Sequence, residues 1–252
     1  MFLGEHESYF YASPQQKHRC LFANLVQGMD AGCSALYISS GENVDAVRAA
    51  LSNFGLKKDK LDQIHIVTSP DWYTPNGEFE AKRVVDQYRR LIDDALDNGL
   101  AGLYVSADAS DTFDYLSKEG MLDAWIAYEH SLGTRFKVPM EAICAYNVEQ
   151  VKSEGRLLFQ LIKGHKKTIV GRSENRILNE QVIRTAVYRQ LKEILGATTT
   201  TTFFDYLDDC ASTPETSLAI ESIWTVLESI LREGEASIKQ NVLTDLYETL
   251  AS

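Results

Sequence analysis

Short apolar and β-branched runs alternate with longer stretches in which apolar side chains recur every three to four positions, and this holds over the first two-thirds of the chain. The short runs read as strands at residues 7–11, 35–39, 64–68, 103–106, 142–146 and 168–170. A first helix starts at Pro14, whose missing N–H costs nothing in an opening turn, and carries Cys20, Leu21, Leu25 and Met29 on one stripe. A second starts at Asn43 or Asp45, buries Val44, Val47, Ala50, Leu51 and Phe54, and closes at Gly55. The strongest stripe lies within residues 78–98, at Val84, Val85, Tyr88, Leu91, Ile92, Ala95 and Leu96, with Gly99 as terminator. Further helices run through Trp125, Ile126, Tyr128 and Leu132 and over residues 154–162. This alternation predicts an α/β fold with a mainly parallel sheet and helices on both faces.

After Gly171 the alternation stops. Residues 178–195, 203–207, 218–231 and 238–250 read as helical, with Ile220, Ile223, Trp224, Leu227, Ile230 and Leu231 as a core stripe. The predicted organisation is residues 1–175 as the α/β domain and 176–252 as a small all-α domain. The five threonines at 198–202 form a β-branched run, expected to mark a helix boundary.

The 252 residues carry a formal net charge of −11. Residues 183–252 hold 5 Lys+Arg against 11 Asp+Glu, a net of −6, so the tail is the more acidic part per residue. Such a balance argues against direct nucleic-acid binding, which uses concentrated Lys and Arg. No apolar run reaches the roughly 20 residues that span a bilayer. The opening residues lack the basic-then-apolar order of a signal peptide, so a cytoplasmic protein is expected. Cys20, Cys33, Cys144 and Cys210 form no CxxC pair, and the five histidines show no HExxH spacing. Spacing therefore argues for free thiols, with no metal and no cofactor.

Polyphosphate chemistry in such a sheet needs GxxxxGK[ST] after the first strand. This chain has Ala12-Ser13-Pro14-Gln15-Gln16-Lys17-His18, without a glycine, and Gly-Lys occurs nowhere. A non-catalytic protein is expected. The alternative is a nucleotide-dependent enzyme with a non-standard loop that uses Ser13 and Lys17, and a third reading is a pocket-free scaffold. Aromatic and polar residues do gather after the strands: Tyr11, Ser39, Glu42, Asp71, Trp72, Tyr73, Asp108 and Tyr146. If these ends share one rim, they make the walls and anchors of a small-molecule pocket. Glu129-His130 lies on a helix, and there a surface or capping role is the expectation for the pair.

Asp71-Trp72-Tyr73, Gly77 and Phe79, the long helix, and then Gly99-Leu100-Ala101-Gly102-Leu103-Tyr104-Val105-Ser106 resemble the MEDS family, the methanogen/methylotroph sensory domains named after the dichloromethane regulator. Tyr128-Glu129, Ala142-Ile143-Cys144-Ala145-Tyr146, Glu5-His6 with Phe10-Tyr11, and Ala35-Leu36-Tyr37-Ile38 fit the same pattern over residues 6–170. The resemblance implies a degenerate RecA-like (KaiC-like) sensory domain that binds a small molecule, with hydrocarbon derivatives as candidates, and passes its state to an attached output. It carries over Asp71, Trp72, Tyr73, Asp108, Glu129, Cys144 and Tyr146 as candidate ligand contacts. The expected partners are that ligand and a signalling protein, or a second copy in a homodimer, engaged through the helical tail. That tail is faintly similar, from Arg189 to Gly196, to helical output modules of archaeal signalling proteins.

Overall fold

The computed structural model describes residues 5–110, 112, 121–135, 138–153, 161, 165, 167–171, 176–178, 180–210 and 241. In chain order the elements are β1 (Glu5–Tyr11), α1 (Pro14–Asp30), β2 (Ser34–Ser39), α2 (Val44–Asn53), α3 (Lys58–Leu61), β3 (Ile64–Thr68), α4 (Ser69–Tyr73) and α5 (Ala81–Asp97). They continue with β4 (Leu103–Asp108), α6 (Leu122–Arg135), β5 (Met140–Asn147), α7 (Val148–Ser153), β6 (Lys167–Val170), β7 (Arg176–Leu178), α8 (Glu180–Leu195) and α9 (Ala197–Cys210). The chain divides into two compact units, Met1–Val151 with Gln160–Arg176, and Lys152–Phe159 with Ile177–Ser252.

In the first unit the strands run in the order β3-β2-β4-β5-β1-β6, and every neighbouring pair is parallel. The predicted α/β fold is therefore observed. Buried residues on both faces of β2 and β4 explain why those strands read as continuous apolar runs rather than alternating ones. Parallel register puts paired residues on the same face. Tyr9, Tyr11, Ser106, Asp108 and Ala145 share the face under α1, while Ser8, Phe10, Cys144 and Tyr146 share the other.

Helix α1 is fixed against its face by polar and steric means together. The Asn24 side-chain amide donates to the Val105 carbonyl and to Ser106 Oγ, and Ser106 Oγ donates to the Leu21 carbonyl. At Gly28 the helix comes so close to β4 that an added Cβ would sit 2.2 Å from the Tyr104 ring. On the opposite face, Arg83 of α5 donates to the Trp72 and Tyr73 carbonyls and caps the C-terminal end of α4. Of the predicted α5 stripe, Val84, Tyr88, Ile92 and Ala95 are buried, whereas Leu96 and, at the end of α2, Phe54 lie exposed.

In the second unit, Ala186, Val187, Leu191, Phe203 and Phe204 of α8 and α9 are buried, and the Tyr188 ring meets Phe204 at 5.4 Å. The threonine run does not bound a helix here but lies within the opening turns of α9. Two of its hydroxyls bond within the helix, Thr200 donating to the Gly196 carbonyl and Thr202 to the Thr198 carbonyl, while Thr201 Oγ1 lies 3.3 Å from the Tyr188 hydroxyl of α8. The helix read at 218–231, with the stripe from Ile220 to Leu231, lies outside the described residues, as does all of 238–250 but residue 241 and most of 154–162. No helix among the described residues is long and apolar enough to cross a membrane.

Candidate functional site

The turn between β1 and α1 is held by its own side chains. Ser13 caps α1 by accepting from the Gln16 N–H, and Gln16 Oε1 accepts from the Ala12 N–H at 2.8 Å. Pro14 has no N–H to offer. The Ala12, Gln16 and Lys17 N–H groups are thus engaged within the turn, the last by the Ser13 carbonyl, rather than presented to an anion.

One helical turn further on, Lys17 is buried, with its ammonium between two carboxylates. Nζ donates to Glu42 Oε2 at 2.6 Å and to Asp108 Oδ2 at 2.9 Å. Asp108, at the tip of β4 and 1% exposed, also accepts from the Tyr11 hydroxyl at 3.1 Å and from the Ser110 N–H at 3.2 Å. Ser110 Oγ lies 3.0 Å from the Tyr11 hydroxyl and accepts from the Asn147 N–H. The network therefore ties together the carboxyl ends of β1, β4 and β5.

Glu42 enters from the turn after β2. Gly41 adopts φ 72° there, a conformation that favours glycine, and Ser39 Oγ donates to the Glu42 carbonyl at 2.7 Å. The Glu42 carboxylate then accepts from His18 Nε2 at 3.0 Å, and the His18 ring stacks on Phe22. Hydrogen bonds from His18 and then Lys17 hold the Glu42 carboxyl down at about 2, against the opposing effect of burial. Its folded-state value lies below the ordinary 4.5, so the stability it contributes is present above pH 4.5 and lost as pH falls toward 2. We expect the melting temperature to drop across that window and Glu42→Gln to flatten the drop. An unchanged slope in the variant would remove Glu42 from the network.

The sequence-predicted residues fall into two groups separated by the sheet, with two more nearby. Tyr11, Glu42 and Asp108 converge on Lys17, and Ser39 holds the Glu42 backbone beside them. Tyr73, Glu129, Cys144 and Tyr146 lie on the opposite face, walled by rings: Trp125 meets Tyr73 at 4.7 Å, Phe79 at 5.3 Å and Tyr128 at 5.4 Å. Trp72 packs on Tyr88 at 5.2 Å. Asp71 is exposed and caps α4 together with Thr68, whose hydroxyl donates to its carboxylate.

Glu129 corrects the expectation of a surface or capping residue: it is 1% exposed, because α6 turns that position toward the sheet. Around it stand His6 of β1, Cys144 of β5 and His165, all buried. His6 Nε2 is 3.4 Å and His165 Nε2 3.5 Å from Glu129 Oε2, and His6 Nε2 is 3.2 Å from Cys144 Sγ. Burial pushes the Glu129 carboxyl up to about 8, opposite to Glu42. His165 escaped the sequence reading, and His6 entered it only through a resemblance. These ligand-type residues come from four separate segments, so no spacing rule reaches them. Cys33 is also a buried free thiol, and Cys20 is partly buried.

Fold and network define a parallel α/β domain that carries a buried Lys17–Glu42–Asp108 charge network at its strand ends. The chain belongs to the MEDS family, MEthanogen/methylotroph, DcmR Sensory domain, whose model matches residues 5–166. Membership gives it a sensory, signalling role. No curated protein matches the sequence. Among solved structures, an uncharacterized Pyrococcus horikoshii protein in complex with an unknown peptide is similar at 12% identity and a TM-score of 0.49, over 70% of this chain and 83% of that one. An ATPase from the type III secretion system of pathogenic bacteria is similar at 13% identity and 0.38, over 73% and 53%. An ATP synthase subunit from Nanoarcheaum equitans is similar at 9% identity and 0.46, over 96% and 71%.

Proposed function

We propose that this MEDS protein is a non-catalytic sensor that binds a small polar molecule at the strand ends and relays its state through the helical tail. The observation that carries this reading is Lys17, committed to Glu42 and Asp108 rather than held available for phosphate. One ammonium between two carboxylates leaves an acidic balance, which disfavours a polyphosphate. The part of the network that reaches solvent is Glu42 with His18, about a quarter exposed at each side chain. A ligand with a hydrogen-bond donor or a small cation would engage Glu42 there and loosen its hold on Lys17. Such a change reaches β1, β4 and β5 together, because Asp108, Tyr11 and Ser110 share the same bonds. The tail is then the surface for a signalling partner or a second copy, with neither nucleic acid nor membrane in the scheme.

A thermal-shift screen of small amines, amides, alcohols and nucleotides tests this reading. A stabilising ligand should be found among the non-nucleotides, Glu42→Gln should abolish its shift, and hydrogen exchange in the tail should change when it binds. A screen without any such ligand, or a tail whose exchange ignores it, would leave the sensor reading without support.

A further inference from the structure

On the sheet face opposite the Lys17 network, four buried side chains converge from four separate parts of the fold. We propose that His6, Glu129, Cys144 and His165 form a closed binding site for one divalent transition-metal ion of the zinc class. The site goes beyond the sensor reading and does not depend on it.

Geometry is the first support. One ligand atom from each residue can be chosen so that all lie within 4.8 Å of one another. The edges at 3.4 and 3.5 Å match a tetrahedron around zinc, whose bonds of roughly 2.0–2.3 Å imply edges of roughly 3.3–3.8 Å, and the His6–Cys144 edge of 3.2 Å needs to open by a few tenths of an ångström. The remaining donor pairs need only small rotations within the 4.8 Å limit. Both imidazoles present Nε2 to the centre.

Charge is the second. A thiolate, a carboxylate and two neutral imidazoles sum to −2, so a divalent ion makes the buried group neutral. Donor chemistry is the third: mixed imidazole, thiolate and carboxylate ligation suits zinc, and four protein ligands leave no open position, which marks a structural site rather than a catalytic one.

The surroundings fit as well. His165 Nδ1 lies 2.6 Å from the Leu161 carbonyl, so its N–H donates there and Nε2 is left as the donor to the ion. The His6 and His165 rings pack at 4.0 Å, and the Tyr146 ring stands over His165 at 6.0 Å. Bound metal would staple β1, β5, α6 and the segment entering β6. These are long-range closures, with His6 and Cys144 separated by 138 positions.

The test uses the full chain purified without chelator. Elemental analysis should give about one zinc per chain, and zinc-edge X-ray absorption should show one sulfur with three nitrogen or oxygen ligands. Removing the metal with EDTA should lower the melting temperature, and added Zn²⁺ should restore it. Replacement by Co²⁺ should give intense tetrahedral visible bands with a thiolate charge-transfer band, which Cys144→Ser abolishes. His165→Ala should weaken Co²⁺ binding at least tenfold. A chain that melts cooperatively yet takes up neither Zn²⁺ nor Co²⁺ overturns the proposal. So does a first shell without sulfur, or a charge-transfer band that survives in Cys144→Ser. If a variant does not fold, the ligand set from X-ray absorption on the wild-type chain decides alone.

Discussion

Replacing Asp108 with alanine is expected to destabilise the sensory unit by about 3–5 kcal/mol, the cost of stranding a buried charge without its partner. Asp108 is 1% exposed and accepts from Lys17, Tyr11 and the Ser110 N–H, so its loss removes an acceptor that three donors share. Glu42 can hold the Lys17 ammonium only partly, being itself shared with His18. Urea denaturation gives the number. The double variant Lys17→Met with Asp108→Ala should lose clearly less than the sum of the two single changes, because neither charge is then left alone. A loss below about 1 kcal/mol for Asp108→Ala, the scale of an exposed pair, would contradict a buried network.

Trp125→Ala should be as damaging, by about 3–5 kcal/mol, through the cavity left in the opposite face. Its side chain is fully buried among Tyr73, Phe79 and Tyr128, three rings from two other helical or loop segments and its own helix. Trp125→Phe keeps most of the contact and should cost less. Near-ultraviolet circular dichroism reports the packing of these rings directly, and an unchanged spectrum in Trp125→Ala would show that they do not form one wall.

Asp108 and Trp125 belong to opposite faces of one sheet, and that division was hidden in the sequence. The strands themselves were legible: β2 and β4 are apolar runs because a parallel sheet covered by helices buries both faces, and β3, at the edge with His65 exposed, still shows its β-branched run. The start of β1 was less so. Glu5 and His6 extend it two residues before the stretch read as a strand, and a polar opening gives no hydrophobic signal. Which residues share a face depends on register between strands far apart in sequence, such as Ser8 beside Cys144 and Asp108 beside Ala145. Tyr11 and Tyr146 both sit near strand ends, yet they point to different sides.

The Lys17 position was visible as a loop without glycine, since a phosphate cradle has a local pattern. Its two partners were not paired with it, because Glu42 and Asp108 approach through tertiary contacts at separations of 25 and 91 residues. The same holds for the His6, Glu129, Cys144 and His165 group. Threonines 198–202 misled for a different reason. Propensity speaks against them in a helix, yet Thr200 and Thr202 lie inside α9 with their hydroxyls bonded to the carbonyls four residues back, so packing in α8 and α9 overrides propensity.

Titration calorimetry of the full chain with magnesium ATP tests the central claim most directly. Lysine 17 held by its own acids predicts no binding heat, and no turnover on long incubation. Saturable heat together with hydrolysis that Lys17→Ala abolishes would contradict it.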